Sequence, residues 1–367
     1  MDKTILLGMD KAELGAFVAG LGQKPYRARQ LYHHFYRRGC FDAEAMTDMS
    51  RAFRETLREC ADFGLPGTLA VQASIDGARK YLFELRDGLR VESVFIPEDA
   101  RTTLCLSTQA GCAMGCRFCA TAGMGFLRNL SAGEILGQFY GVLGERGLVG
   151  QPVNVVFMGM GEPLMNLEAV MRSFGILHDP EGGAVSRRRI TVSTCGLPEG
   201  IRRLGEHPVR PKLAVSLNAT TDAVRSRLMP VNRKHPIADV LKACRAYPLP
   251  AGERITFEYL LAAGVNDTVE DARRLARLLR GIRCKINLIP CNPTPGGAFG
   301  PPGEAVVAAF QDVLVGARYT AIIRKSRGRD IHGACGQLAS LQDETDGGGR
   351  PRPSPGGAEG YYSPDSE

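Results

Sequence analysis

Thr103-Leu104-Cys105-Leu106-Ser107-Thr108-Gln109-Ala110-Gly111-Cys112-Ala113-Met114-Gly115-Cys116-Arg117-Phe118-Cys119 decides the reading of this chain. Its first part, Thr103–Ser107, has the β-branched and apolar character of a strand. Its second part spaces three cysteines as C-x3-C-x2-C directly after that strand. Gly111 and Gly115 free the backbone to wrap tightly, as a loop around an inorganic centre must. Three thiolates at Cys112, Cys116 and Cys119 suit three irons of a [4Fe–4S] cluster, which leaves the fourth iron open to a ligand that is not protein. Two plainer readings compete. A structural zinc site wants a fourth Cys or His, which Cys105 supplies by spacing. Alternatively the three cysteines bind nothing, a poor default so close together in a reducing compartment.

Beyond this stretch, strands alternate with helices. Strands are expected at 153–158, 189–193, 212–217, 254–260 and 285–289, and helices at 132–143, 167–177, 199–204, 237–246 and 269–279. Ser131 and Glu134 form a capping-box pair at the start of one helix. Six βα units imply an α/β fold with a parallel sheet or partial (βα)6 barrel, whose site lies at the C-terminal strand ends. Those ends carry suitable residues. Met158-Gly159-Met160-Gly161-Glu162-Pro163 closes the second strand, and Ser193 closes the third. Ser216-Leu217-Asn218 closes the fourth, and Asn292 follows the sixth. Each taken alone is also an ordinary turn or capping residue.

Upstream, residues 1–66 read as a small helical accessory domain, with Asp10 capping a helix that carries Leu14, Phe17, Val18 and Leu21 at helical spacing. Residues 67–97 read as connecting strands, with Asp76-Gly77 and Asp87-Gly88 as turns. The region 98–342 holds the core and a C-terminal loop. Residues 343–367 are rich in Gly and Pro and are expected to be a disordered tail.

The chain has 367 residues, 44% of them hydrophobic, and 11 cysteines. No apolar run is long enough to span a membrane, and the N-terminus lacks the pattern of a signal peptide. A cytoplasmic protein with reduced thiols is the expectation. The net charge of +7 is concentrated between residues 67 and 342, which suggests a polyanionic partner. Arg accounts for 37 of the 46 basic residues, and an Arg-favouring codon usage explains part of that excess. Arg187, Arg188, Arg189, Arg225, Arg227, Arg233 and Lys234 are the candidate phosphate contacts.

The cysteine spacing after a strand resembles the radical S-adenosylmethionine superfamily. Two more cysteines narrow the resemblance. Cys105 lies on the first barrel strand and by itself reads as a buried strand residue. Cys335 lies in Arg324-Lys325-Ser326-Arg327-Gly328-Arg329-Asp330-Ile331-His332-Gly333-Ala334-Cys335-Gly336, where neighbouring Arg residues favour a thiolate. With Glu92 in Val91-Glu92-Ser93-Val94, with Lys24-Pro25-Tyr26-Arg27-Ala28-Arg29-Gln30-Leu31 and with Lys285-Ile286-Asn287-Leu288-Ile289-Pro290, the chain closely resembles the RlmN family.

That resemblance implies methylation of adenine C2 in 23S rRNA and in tRNA. It implies a [4Fe–4S] cluster, two S-adenosylmethionine molecules per turnover, an electron donor such as flavodoxin, and a monomer without a membrane partner. It assigns the cluster to Cys112, Cys116 and Cys119. It assigns the cofactor to Phe118, Gly161, Glu162, Ser193, Ser216, Leu217, Asn218 and Asn292, and the catalytic roles to Cys335, Cys105 and Glu92. In the implied scheme Cys335 carries the methyl group, Cys105 resolves the adduct with formation of a Cys105–Cys335 disulfide, and Glu92 positions the adenine. Asn218, Cys195 and Cys291 depart from the usual family residues. A sister activity on adenine C8 and a cluster-containing RNA-binding paralogue without methylation are the alternatives.

Overall fold

The computed structural model describes residues 3–99, 101–294 and 296–339. The segment 343–367, expected to be disordered, lies outside them. The chain opens with β1 (Thr4–Ile5) and α1 (Lys11–Gly20). Asp10 caps α1 in a full capping box with Glu13, as its sequence signature demands. α2 (Tyr26–Tyr32) and α3 (Arg51–Cys60) follow, and β2 (Ala61–Asp62) pairs in parallel with β1. Leu14, Leu31, Phe35, Phe53 and Leu57 of this region are buried in one apolar cluster with residues of the main sheet.

β3 (Gly67–Ala73), β4 (Arg79–Glu84), β5 (Arg90–Glu98) and β6 (Arg101–Cys105) form an antiparallel meander. β7 (Gln109–Gly111) and β8 (Phe126–Asn129) form a short hairpin beside it, with α4 (Ala120–Gly123) between them. The alternating part then runs α5 (Ala132–Glu145), β9 (Val153–Phe157), α6 (Leu167–His178), β10 (Ile190–Thr194) and α7 (Pro198–Glu206). It continues with β11 (Lys212–Ser216), α8 (Asp222–Leu228), α9 (Ile237–Ala246), β12 (Ile255–Leu261), α10 (Val269–Leu278) and β13 (Cys284–Pro290). It ends with α11 (Glu304–Gly316) and β14 (Ala321–Ile323).

Ten strands make one open sheet in the order β14-β13-β12-β11-β10-β9-β6-β5-β4-β3. From β6 to β14 the pairing is parallel, and from β6 to β3 it is antiparallel. The expected partial barrel is therefore present, extended by three antiparallel strands on one side. α11 and β14, absent from the sequence reading, complete the parallel part. Short helical connections force each parallel strand to return the same way, so all C-terminal strand ends meet on one rim. Among the described residues no helix is long and apolar enough to cross a membrane.

Candidate active site and cluster loop

The β7–β8 hairpin brackets the three cysteines. Cys112 N–H donates to Gly125 O at 2.8 Å, closing the loop at its base. Gly111 has φ +73°, and a Cβ there would lie 1.9 Å from Gly125 O, so only glycine fits. Arg117 N–H donates to Leu228 O and Cys119 N–H to Cys116 O, which pins the far side. Cys112 and Cys116 pack against an apolar cluster of Met114, Cys195, Leu228, Met229 and Val231. Desolvation in this wall pushes the Cys112 thiol up to about 12 and raises Cys116 well above the ordinary range. Thiols in such a wall ionise only when a bound cation compensates them, so metal uptake here releases protons. Among the described residues, no three His, Cys, Asp or Glu side chains surround one point as a single ion requires. A cluster asks something different, since each thiolate holds its own iron.

The rim encloses a cavity of about 460 Å³. Cys105, Cys112, Cys116, Phe118, Cys119, Gly161, Glu162, Ser193, Ser216, Asn218 and Cys335, all singled out in the sequence, line it. Gly161 has φ +99°, and a Cβ there would lie 2.5 Å from Gln109 Cβ, so this close passage past the cluster hairpin admits no side chain. Glu162 N–H donates to Gln109 Oε1 at 2.8 Å. The Glu162 carboxylate accepts from Leu164 N–H at 3.0 Å and from Cys195 N–H at 2.7 Å. Burial raises its pKa despite those donors, so the carboxyl suits a cationic ligand such as an ammonium group.

Ser193 and Ser216 are joined through a residue that the sequence reading missed. Both hydroxyls donate to Glu258 Oε2, at 3.2 and 3.4 Å. Glu258 lies mid-strand on β12 with 6% exposure and also lines the cavity. Its signal was a lone carboxylate in the apolar run Ile255-Thr256-Phe257-Glu258-Tyr259-Leu260-Leu261. Asn218 has φ +57°, a conformation that Asn tolerates better than most residues. Its Oδ1 accepts from Leu260 N–H at 2.9 Å and its Nδ2 approaches Met229 Sδ at 3.2 Å, so the amide is engaged in the wall.

Leu217, Asn292 and Glu92 fall outside the lining. Leu217 is fully buried and donates its N–H to Glu258 O. Asn292 Nδ2 donates to Cys335 O at 3.1 Å and so acts on the loop. Glu92 pairs with Lys80 Nζ at 2.9 Å and accepts from Ala339 N–H at 2.9 Å.

Cys105 and Cys335 both line the cavity as free thiols, although the sequence separates them widely. Desolvation raises the Cys105 thiol, with Cys335 the next contributor. Cys335 keeps accessible surface at the cavity. Its thiol is nonetheless raised, because desolvation by the surrounding walls outweighs the opposing charge of Arg324. The thiolate expected from the Arg-rich loop is thus not favoured at rest. A second correction concerns Arg225. It is 0% exposed and donates to Leu217 O, Asn232 Oδ1, His235 O and Cys195 O, so it holds the loops below the cavity and meets no phosphate. Arg187 is tied to Glu253 at 2.7 Å. Arg324, Lys325 and Arg327 stand at the cavity instead.

The cavity thus has the donors that the implied cofactors need: three thiols on one loop, glycines that let backbone approach, and a buried carboxylate beside them. Comparison with known proteins agrees. Residues 4–63 match the family model "Ribosomal RNA large subunit methyltransferase N-terminal domain", and residues 106–279 match "Radical SAM superfamily". The dual-specificity RNA methyltransferase RlmN of Anaeromyxobacter dehalogenans is 49% identical over 345 residues, covering 92% of each chain. That of Syntrophobacter fumaroxidans is 49% identical over 329 residues, covering 89% of this chain and 96% of its own. The crystal structure of a radical SAM methyltransferase from Sphaerobacter thermophilus superposes with a TM-score of 0.88 at 44% identity, over 92% of this chain and all of that one. By its cluster loop, its barrel and these relatives over most of its length, the chain belongs to the RlmN family of radical SAM RNA methyltransferases.

Proposed function

We propose that the chain methylates C2 of an adenosine in 23S rRNA and in tRNA, through a methyl group carried on Cys335. The observation that carries this reading is the meeting of Cys105 and Cys335 in the same cavity as Cys112, Cys116 and Cys119. A protein that only bound RNA would need neither distant thiol there.

When bound, a [4Fe–4S] cluster with S-adenosylmethionine would supply radical chemistry able to take a hydrogen atom from a methyl group. Cys112, Cys116 and Cys119 would hold that cluster. Glu162 and the backbone beside Gly161 receive the methionine amino group, while Ser193 and Ser216, set by Glu258, face the rest of the cofactor. Cys335 loses its proton, accepts the methyl group from a first S-adenosylmethionine, and presents that carbon to adenine C2. Once one hydrogen atom has left the methyl group and one electron has left the adduct that its carbon forms with adenine C2, Cys105 takes the C2 proton. Its sulfur closes on the Cys335 sulfur, the carbon–sulfur bond breaks, and that proton passes to the freed carbon to complete the methyl group. Covalent catalysis of this kind divides one inaccessible substitution into several accessible steps. A two-electron dithiol reductant returns both sulfurs to thiols, while a small one-electron carrier such as flavodoxin suits the electron that cleavage of S-adenosylmethionine consumes. Arg324, Lys325 and Arg327 at the rim receive phosphates near a base turned out of its stack. We place the enzyme in the cytoplasm as a monomer.

The test is a denaturing gel of variants purified from cells. Cys105→Ala retains the methyl carrier but lacks the resolving sulfur, so a slow-migrating, ribonuclease-sensitive adduct accumulates. Cys335→Ala and the double variant show none. Methylated RNA from Cys105→Ala without any adduct would remove this chemistry.

A further inference from the structure

Cys335 has to meet a methyl donor, a base and Cys105 in turn, so the loop that carries it must be held in place. Its barrel side is held near the cysteine itself, by Asn292 Nδ2 on Cys335 O and by Ala120 N–H on Gly336 O at 2.7 Å. Its other side is held by the antiparallel strands. In the turn between β3 and β4, Asp76 Oδ2 accepts from Gly328 N–H at 2.9 Å while Oδ1 accepts from Ala78 N–H at 3.0 Å. In the reverse direction, Asp330 of the loop accepts from Ser74 Oγ at 2.5 Å and from Ile75 N–H at 3.1 Å. Each partner thus caps the other's backbone with a carboxylate. Charge-assisted bonds of this kind are the stronger class. A third carboxylate, Glu92, is tied to Lys80 and caps Ala339 N–H beyond the cysteine.

We infer that the β3–β4 turn and the Lys80–Glu92 pair form a clasp that sets the position of the Cys335 loop, with Asp76, Asp330 and Glu92 as positioning residues. The inference rests on the reading of Cys335 as methyl carrier. The reciprocal bonds link two stretches some 250 positions apart (|i−j| 256 and 252) with no shared ladder between them. Their outer surface is open, with Ile75 97% exposed. Breaking them therefore frees the loop without opening the core.

The test uses the full-length, oxygen-free protein and labels Cys335 with iodoacetamide, followed by peptide mass spectrometry. Asp76→Ala should speed labelling of Cys335 about tenfold, the scale of one lost charge-assisted bond, and Asp330→Ala, which loses two across the clasp, at least as much. The thermal midpoint and iron content should stay at wild-type values. Asp330→Asn keeps an acceptor and should fall between, and Ser74→Ala, which removes one bond to the loop and the Asp76 N–H bond within the turn, should show the same direction even if an aspartate variant folds poorly. Asp312→Ala on α11 is the remote control and should change nothing. With a stem-loop RNA, kcat should fall in the aspartate variants while KM holds. Unchanged labelling and unchanged kcat in both alanine variants would overturn the clasp. Faster labelling in a protein whose wild type never methylates RNA would keep the clasp and overturn the function on which its purpose rests.

Discussion

The two halves of the sheet obey different rules. β12, in the parallel half, is buried at all seven positions, Ile255 to Leu261. β3, at the antiparallel edge, is exposed at all seven, Gly67 to Ala73. Parallel strands lie between layers and read as continuous apolar runs, whereas an antiparallel meander tolerates water. The parallel half supplies most of the pocket, and the antiparallel half supplies the outer hold on the Cys335 loop. β6 belongs to both, and Cys105 at its end pairs with Val94 on one side and Val156 on the other. A sulfur at this seam is fixed by two ladders at once, which suits the resolving role proposed for it.

This division can be broken by experiment. The largest effect belongs to the cluster loop. Wild-type protein prepared without oxygen should carry about four iron per chain, and Cys116→Ala close to none, with the circular dichroism of the barrel retained. Stoichiometric zinc in place of iron would remove the cluster from the parallel half. Next in size, Phe257→Ala on β12, fully buried, should cost about 3–5 kcal/mol in denaturant unfolding. Lys80→Met leaves the 3%-exposed Glu92 without its cation and should cost about 2–3 kcal/mol, somewhat below a fully buried pair because Lys80 keeps 12% exposure. The smallest effect is Val71→Ala on β3, where the side chain is 40% exposed and the loss should stay under about 0.5 kcal/mol. Equal costs for the β12 and β3 substitutions would show that both halves bear the core alike.

The parallel half was the legible one. Its strands announce themselves as apolar runs, and their ends as small polar residues, so the sequence alone points to Gly161, Glu162, Ser193 and Ser216, which line the cavity. Local signals also placed the capping boxes at Asp10 and Ser131. What escaped depended on contacts between distant segments. Glu258 hid inside an apolar strand. Arg225 resembled its exposed neighbours until five loop carbonyls and amides closed around it. β14 is only three residues long, too short for a periodic pattern. Asp76 and Asp330 look like turn residues, and nothing local shows that each caps the other's strand of chain.

Neighbouring strands in the large sheet are also neighbours along the chain, apart from the cluster hairpin that intervenes between β6 and β9. Within that sheet a growing polypeptide therefore does not wait for a distant strand, because each strand, as it emerges, finds its predecessor already in place. The iron-binding loop is delivered early in that progression and Cys335 near its end. During synthesis, then, the nascent chain holds the three loop cysteines well before it owns the sulfur proposed to carry the methyl group.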